Sequence, residues 1–405
     1  MKPSHIYWCP MIPDHWEEKR IKDIAFLQSG NSITAMDFVE DGKFPVYGGN
    51  GLRGYTNTYT NEGDYVLIGR QGALCGNINY AHGKFYASEH AVVVYPKKEE
   101  ITLWLGETLR TANLNRLSMT AAQPGLAVST LNLQFIPFPP KDERIRIAKY
   151  LDKKLSEIDH QVSLLTSKRD AYLRLKKSII NHAVTHGLDP NVKMKDSGIE
   201  WIGEVPEHWE MCRFKDAFRR WTTGITPDSK NYKYFESDIC KGYTWVTISD
   251  FLEKYISQSS LNLSDESIKL FMPPLSLKGS LMFSFKLSVG KIAFADKDLY
   301  TNEAIVSIPP NNGQCLEYYY YMLPNVLHEN ATENIYGAKM LNQKIIANML
   351  MGVPPLPEQR AIATYLDDKC AKIDTIVSNL DKQISRYADL KRSLIDEVIT
   401  GKRAV

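Results

Sequence analysis

Two stretches of the chain carry one hydrophobic rhythm. From Tyr150 the sequence reads YLDKKLSEIDHQVSLLTSKRDAYLRLKKSIINHAVTHG, and from Tyr365 it reads YLDDKCAKIDTIVSNLDKQISRYADLKRSLIDEVITGK. Laying Tyr150 on Tyr365 superimposes Tyr-Leu-Asp, Ile-Asp, Leu-Lys and Ser-(Leu/Ile)-Ile. In the first copy Leu151, Leu155, Ile158, Val162, Leu165, Tyr172 and Ile179 recur at steps of four and three, with Arg169 and Lys176 in the skipped positions. The second copy gives Leu366, Cys370, Ile373, Val377, Leu380, Ile384, Tyr387, Leu394 and Val398, with Lys391 in the skipped position. Such spacing keeps side chains on one helical stripe and averages the 3.5-residue repeat of a coiled coil. Neither copy is broken by Pro or Gly. A helix of about 35 residues spans roughly 50 Å and leaves its stripe bare unless something covers it. The two copies are therefore expected to cover each other. Leu164, Leu175 and Ile180 widen the apolar face of the first copy and are expected partner contacts.

Each helix is preceded by further repetition. Pro13-Asp14-His15-Trp16-Glu17 returns as Pro206-Glu207-His208-Trp209-Glu210, and Arg20-Ile21-Lys22-Asp23 as Arg213-Phe214-Lys215-Asp216. Pro139-Pro140 with Asp142-Glu143-Arg144 answers Pro354-Pro355-Leu356-Pro357-Glu358-Gln359-Arg360, where prolines and an acid suit a first helical turn. Between these ends the apolar runs are short and turn-bounded. Phe44–Tyr47, Tyr65–Ile68 and His90–Tyr95 read as strands in the first half; Tyr243–Ile248, Leu281–Phe285 and Ala304–Ile308 do so in the second. Short helices are expected near Leu103–Leu114 and Leu316–Leu327. A faint echo aligns Cys75-Gly76-Asn77-Ile78 with Val289-Gly290-Lys291-Ile292, and Ser88-Glu89 with Asn302-Glu303. The expected fold is α+β: two β-rich domains and two long helices on a pseudo-two-fold internal repeat. The divisions are 1–142 and 206–352 for the domains, 143–186 and 353–405 for the helices, and an exposed linker at 187–205.

Composition narrows the class. The 405 residues hold 49 basic and 47 acidic side chains, a formal charge of +2, which is not the footprint of a non-specific nucleic-acid binder. No apolar run reaches membrane-spanning length and the first residues lack an apolar signal core, so a cytoplasmic protein is expected. Cys9, Cys75, Cys212, Cys240, Cys315 and Cys370 are scattered and read as reduced, packing thiols.

Catalytic signatures are missing. There is no dinucleotide or phosphate loop and no Asp/Asn-Pro-Pro-aromatic tetrad. Pro13–Lys19 resembles a nuclease signature, but its acids are too close and Cys212 replaces the lysine in the second copy. Buried Trp16 and Trp209 are the expected role of that motif. His182 and His186 lie one helical turn apart without a third ligand, so no metal is expected. What remains is a set of groove-reading side chains in turn-rich settings. In the first domain these are Gly48, Gly49, Asn50, Arg53, Tyr55, Arg70, Gln71, Asn77, His82, Ser88 and His90. In the second they are Thr223, Thr226, Lys230, Tyr232, Lys233, Thr247, Ser249, Lys278, Lys286, Lys291 and Asn302. Arg, Lys, Asn and Gln make bidentate contacts to base edges, Ser and Thr hold phosphates, and glycines let backbone approach. Two related domains on a helical spacer match two half-sites of a duplex.

The chain resembles the specificity subunit of type I DNA restriction–modification enzymes. The resemblance is carried by Trp201–Trp209, by Pro354–Arg360 followed by Ile362-Ala363 and Tyr365-Leu366-Asp367, by Pro45–Gly51, by Ile68-Gly69-Arg70 with Gly72 and Cys75-Gly76, and by Trp245–Asp250. The first copy departs from it, since Lys141-Asp142-Glu143-Arg144 lacks the glutamine. The resemblance implies two target recognition domains that read an asymmetric bipartite double-stranded DNA sequence, with conserved helices paired as an antiparallel coiled coil. It implies two methyltransferase subunits as partners, carrying S-adenosylmethionine, and motor-nuclease subunits needing ATP and magnesium. The chain itself would hold no cofactor and perform no bond chemistry. Two other readings are the same role in a methylation-only complex and a non-DNA scaffold of two binding modules.

Overall fold

A computed structural model describes the chain except for residues 73, 98–100, 119–124, 237, 239–240, 287, 312 and 334–338, so Cys240 lies outside the described residues. The chain divides into two compact units, one of residues 1–167 with 380–405 and one of 168–379.

The first unit is built on two four-stranded sheets. One contains β1 (Ala25–Ser29), β4 (Tyr65–Gly69), β5 (Ile78–Ala81) and β7 (Ala91–Pro96) in the order β1-β7-β4-β5. The other contains β2 (Phe44–Gly48), β3 (Gly51–Thr56) and β6 (Lys84–Ala87), ordered β3-β2-β6 and closed by Asn61–Glu62. The strands read from the sequence overlap β2, β4 and β7, with His90 left in the turn before β7; β1, β3, β5 and β6 are shorter or more polar and are not legible in the sequence. Helix α1 (Thr102–Thr111) packs Trp104, Leu105 and Leu109 into the same core. The short strand Glu17–Arg20 pairs antiparallel with Phe135–Phe138, which leads into α2 (Lys141–His186).

The second unit repeats this plan with different loops. Its strands are β8 (Tyr243–Val246), β9 (Tyr255–Ile256), β10 (Leu281–Ser284), β11 (Ile292–Ala295), β12 (Tyr300–Thr301) and β13 (Ile305–Ile308). The main sheet runs Thr222–Thr223, then β13-β10-β11-β9, one strand more than its counterpart. Helix α3 (Leu316–Asn330) buries Tyr318, Tyr319, Met322 and Leu323, and Glu210–Arg213 pairs with Leu350–Val353 ahead of α4 (Leu356–Ile399).

The long helices pair antiparallel in each unit. In the first, Leu151, Leu155 and Ile158 of α2 share a core with Leu394 and Val398 of α4, flanked by Val162 and Tyr387. The direction is set by two contacts: Lys391 Nζ donates to Asp159 at 2.6 Å, and Arg146 Nε to the Val405 carbonyl at 3.2 Å. In the second unit Ala183 and Val184 share a core with Leu366 and Cys370, flanked by Ile179, and Lys176 Nζ donates to Asp374 at 2.6 Å. Lys176 and Lys391 occupy the same repeat position, as do Asp159 and Asp374. Two of the three polar breaks in the apolar stripe, Lys176 and Lys391, are thus filled by one interhelical ion pair used twice, while Arg169 Nε donates to Asp170 of its own helix at 3.0 Å. Ile373, Leu380, Val377, Leu165, Tyr172 and Ile384 are all buried or half-buried.

The lateral residues divide. Leu164 is 51% exposed and Leu175 47%, whereas Ile180 is half-buried and packs against the second unit's core. Leu390, the repeat mate of Leu175, is also exposed.

Both helices end on a left-handed glycine, Gly187 at φ +75° and Gly401 at φ +71°. This is the conformation that caps a helix C-terminus with least strain on glycine. A β-carbon at Gly187 would meet the Glu358 carboxylate at 2.9 Å and one at Gly401 the Pro13 ring at 2.5 Å, beside Trp209 and Trp16, which are each 1% exposed. The repeated His-Trp pairs close each unit alike: His15 Nε2 lies 2.8 Å from Glu143 and His208 Nε2 2.7 Å from Glu358. The linker is less free than its polarity suggests. Met194–Asp196 pairs with Glu204–Pro206, Ser197 is buried, and Lys195 Nζ donates to the Trp209 carbonyl at 2.6 Å. No helix among the described residues is long and apolar enough to cross a membrane.

Candidate nucleic-acid interface

In the first unit, three turns meet where the two sheets approach each other. The β2–β3 turn brings Gly48, Gly49 and Asn50, the end of β4 brings Arg70 and Gln71, and the start of β5 brings Asn77. Arg70 N–H donates to the His90 carbonyl at 2.8 Å, Gly69 N–H to the Asn77 carbonyl at 2.8 Å, and Asn77 Nδ2 to Asn50 Oδ1 at 3.1 Å. The approach demands glycine. A β-carbon on Gly49 would lie 3.2 Å from the Gln71 carbonyl oxygen and 3.3 Å from that of His90, and one on Gly69 would collide with the Gly49 carbonyl. Arg53 extends from β3 with its guanidinium 5.7 Å from the Phe38 ring centroid. Among the described residues, Arg53 and Arg70 have no carboxylate partner.

The second unit builds the same crossing with other side chains. Asn302 N–H donates to the Val246 carbonyl at 3.0 Å, as Ser88 N–H does to Tyr47 at 2.9 Å. Ser284 N–H donates to Lys291 at 2.9 Å, matching Gly69 to Asn77, and Phe285 N–H to Ala304 at 3.0 Å, matching Arg70 to His90. Ile225 N–H donates to the Thr301 carbonyl at 3.0 Å, matching Asn31 to Ala87 at 2.9 Å. These pairings place Ser249 where the first unit has Asn50, Lys286 where it has Gln71, and Lys291 where it has Asn77. Thr247 stands in place of Gly48, its hydroxyl 2.7 Å from that of Ser249, and Lys291 Nζ donates to the Ile248 carbonyl at 3.2 Å. The equivalent backbones thus carry different chemistry: amides in the first unit, hydroxyls and ammonium groups in the second.

Several expected residues do not join these clusters. Ser88 is 0% exposed and is withdrawn as a contact, because the chain needs it inside the sheet crossing. Its mate Asn302 is half-buried, with Oδ1 accepting from Ala304 N–H at 3.1 Å. His82 and Lys278 sit at the far ends of the β4–β5 and β10–β11 hairpins. His82 lies 2.9 Å from Asp64 and Lys278 lies 3.7 Å from Asp296, each roughly 16 Å or more along the strand from its cluster. Thr223 accepts from Gln343 at 3.1 Å. Tyr55 is exposed on β3, paired opposite Pro45. Thr226, Lys230, Tyr232 and Lys233 are exposed on the segment that follows Thr223.

Gly30 and Gly224 are the residues the sequence reading missed. A β-carbon on either would collide with the next sheet, at the Ala87 or Thr301 carbonyl. The available signal was their shared position just before Asn31 and Ile225. Gln359 and Arg144 hold matching places at the starts of the two long helices. Gln359 Oε1 accepts from Cys315 N–H at 2.9 Å and its Nε2 donates to the Pro354 carbonyl at 2.9 Å. Arg144, which takes its place in the first copy, donates to the Pro139 carbonyl at 2.6 Å and lies 4.0 Å from the Phe138 ring centroid. Arg144 thus keeps the donor half of the glutamine's role, to the matching proline carbonyl, but a guanidinium cannot accept as Gln359 Oε1 does. His182 and His186 stack at 4.9 Å; burial and His182 hold the His186 imidazole below its usual value. No cluster of three His, Cys, Asp or Glu that could hold a metal occurs among the described residues.

Comparison with known proteins gives a consistent assignment. The chain is 40% identical to the EcoprrI type I restriction enzyme specificity subunit of Escherichia coli over 141 residues, 34% of this chain and 35% of that protein. It is 27% identical to the MjaIX specificity subunit of Methanocaldococcus jannaschii over 45% of this chain and 41% of that one, so these two matches span less than half of each relative. The MjaVIII specificity subunit of the same organism is 21% identical over 96% of this chain and 93% of its own. Among solved structures, a chain described under complex assembly and conformational transition of the type I R-M system superposes with a TM-score of 0.73. It is 15% identical and the match covers 97% of this chain and all of the other, a likeness of fold. The model of the type I restriction modification DNA specificity domain matches twice, at residues 13–164 and 206–386. With both halves so matched, the chain belongs to the type I restriction–modification DNA specificity family.

Proposed function

We propose that this chain is the sequence-reading subunit of a type I restriction–modification complex. Each unit reads one half of an asymmetric bipartite duplex target, and the chain carries out no bond chemistry. One observation carries the reading: an equivalent backbone crossing presents Asn50, Gln71 and Asn77 in one unit and Ser249, Lys286 and Lys291 in the other. Amide side chains suit adenine edges, and lysines suit guanine edges or phosphates. Unlike side chains on like scaffolds suit unlike half-sites. The exposed Leu164, Leu175 and Leu390 on the helices suit contact with two methyltransferase subunits that bring S-adenosylmethionine. Motor-nuclease subunits using ATP and magnesium complete the restricting form, in the cytoplasm of a prokaryote.

The test is methylation-site sequencing in a host that carries this chain with its methyltransferase partner. Exchanging residues 20–140 for the matching part of another family member is expected to change one half-site alone. Changes in both halves, or in neither, would refute it.

A further inference from the structure

In the second unit the edge of the main sheet is closed from within. β9 pairs parallel to β11, with Phe294 N–H donating to the Lys254 carbonyl at 2.8 Å and Asp296 N–H to Ile256 at 2.9 Å. This strand delivers Lys254 to the cleft between α3 and α4. Its Nζ donates to Asp367 at 2.6 Å, over the rings of Tyr320 and Tyr321 at 5.0 and 5.6 Å. The Tyr321 hydroxyl donates to the same carboxylate oxygen at 2.5 Å. Tyr255 stacks on Phe294 at 5.5 Å. Further along, Asn325 Nδ2 donates to Asn181 at 3.3 Å.

The first unit has the matching cleft without these closures. β5 ends its sheet, and among the described residues no strand pairs with its outer edge. Tyr80 stands in place of Phe294, Gly106 of Tyr320, Glu107 of Tyr321 and Asp152 of Asp367. With no ring at Gly106, the Tyr80 hydroxyl crosses it and donates to Glu107 at 2.7 Å. A groove of about 1130 Å³ remains, walled by α1 and by segments of α2 and α4 of this unit. Its other carboxylates are satisfied: Glu107 by Arg110 at 3.0 Å, Asp159 by Lys391 at 2.6 Å, Asp396 by Lys402 at 2.9 Å, and Asp389 by Arg392 at 3.9 Å. Asp152 is exposed and has no partner among the described residues.

We infer that this groove takes an extended segment of a partner chain, which adds to β5 as a parallel strand and carries a lysine followed by an aromatic residue. The second unit supplies the template. The incoming carbonyls accept from the Tyr80 and His82 N–H groups, the lysine meets Asp152, and the aromatic ring lies on Tyr80. Strand addition of this kind draws affinity from main-chain hydrogen bonds and selectivity from the side-chain pocket. The stretch that would correspond to β9 is committed elsewhere in this unit, since the residues that follow β2 form β3 and Asn61–Glu62.

The test uses the full chain without DNA, so it stands apart from the target-reading proposal. A fluorescent peptide with the sequence of Phe251–Gln258, FLEKYISQ, is titrated while anisotropy is followed, and amide exchange is mapped with and without peptide. Saturable binding is expected, weakened about tenfold by Asp152→Asn or by methionine in place of the peptide lysine, with slowed exchange at Tyr80 and His82. Circular dichroism checks that the exposed Asp152→Asn change leaves the fold intact. No saturable binding up to about 1 mM, equal binding by Asp152→Asn, or protection confined to Phe294 and Asp296 overturns the inference.

Discussion

Replacing Gln359 by methionine tests how the second long helix is fixed to its unit. The side chain is 1% exposed and makes three hydrogen bonds, to Cys315 N–H, the Pro354 carbonyl and Gln314 Oε1. Methionine keeps the length and approximate volume but leaves the Cys315 donor and the Pro354 acceptor buried without partners. An orphaned buried group costs about 1–3 kcal/mol. Gln314 Oε1 keeps the Tyr319 hydroxyl at 3.0 Å, so it adds little. Two orphans, partly offset by the apolar burial that methionine gains, come to about 3 kcal/mol. For a unit of this size each kcal/mol moves the melting temperature by roughly 2–4 °C, so the second unit's transition should fall by roughly 6–12 °C. Differential scanning calorimetry of the full chain reads this directly. A fall below about 1 °C, or an equal fall in a transition assigned to the first unit, would show that the glutamine is not what holds this turn.

Other perturbations probe the remaining features. Lys291→Ala should weaken binding to target duplex and lower the salt slope by about 1 if its ammonium neutralises a phosphate, as measured by titration at several salt concentrations. An unchanged slope with altered base preference would assign it to a base edge instead. Double-mutant cycles on Lys176–Asp374 and Lys391–Asp159 should each give about 0.5 kcal/mol, shrinking in high salt, because these pairs are partly exposed. Removing one heptad from each long helix should shorten the unread gap between half-sites by about 3 base pairs, since seven residues rise about 10 Å; methylome sequencing would expose an unchanged gap. Burial pushes the Cys9 thiol up to about 11 from 9.0, so the stabilisation tied to its neutral form is complete below pH 9 and is lost as pH rises toward 11. Alkylation at pH 8 should accordingly be slow until the chain unfolds.

The helices and their duplication were legible because an amphipathic stripe is written in every turn of sequence. Each predicted stripe residue, from Leu151 to Val398, is buried or half-buried. The long apolar strands were legible for the same reason. β5 and β9 were not, because Ile78–Ala81 and Tyr255–Ile256 are short and their pairing depends on chain far away in sequence. The candidate contacts were legible by residue type but not by place. Asn50, Gln71 and Asn77 converge, whereas His82 and Lys278 have suitable chemistry at the wrong ends of their hairpins. Ser88 shows the same limit: a small polar residue next to an acid looks exposed, yet a sheet crossing covers it.

The first unit draws Leu394, Ile395, Val398 and Ile399 into the core begun by Ile6, Trp16 and Ile21. Those early residues therefore rely on a stretch far along the sequence to close their core. The stretch from Lys168 to Asn379, by contrast, is continuous and holds all it needs. A chain cut after residue 379 would therefore keep one core whole and leave the other missing a wall.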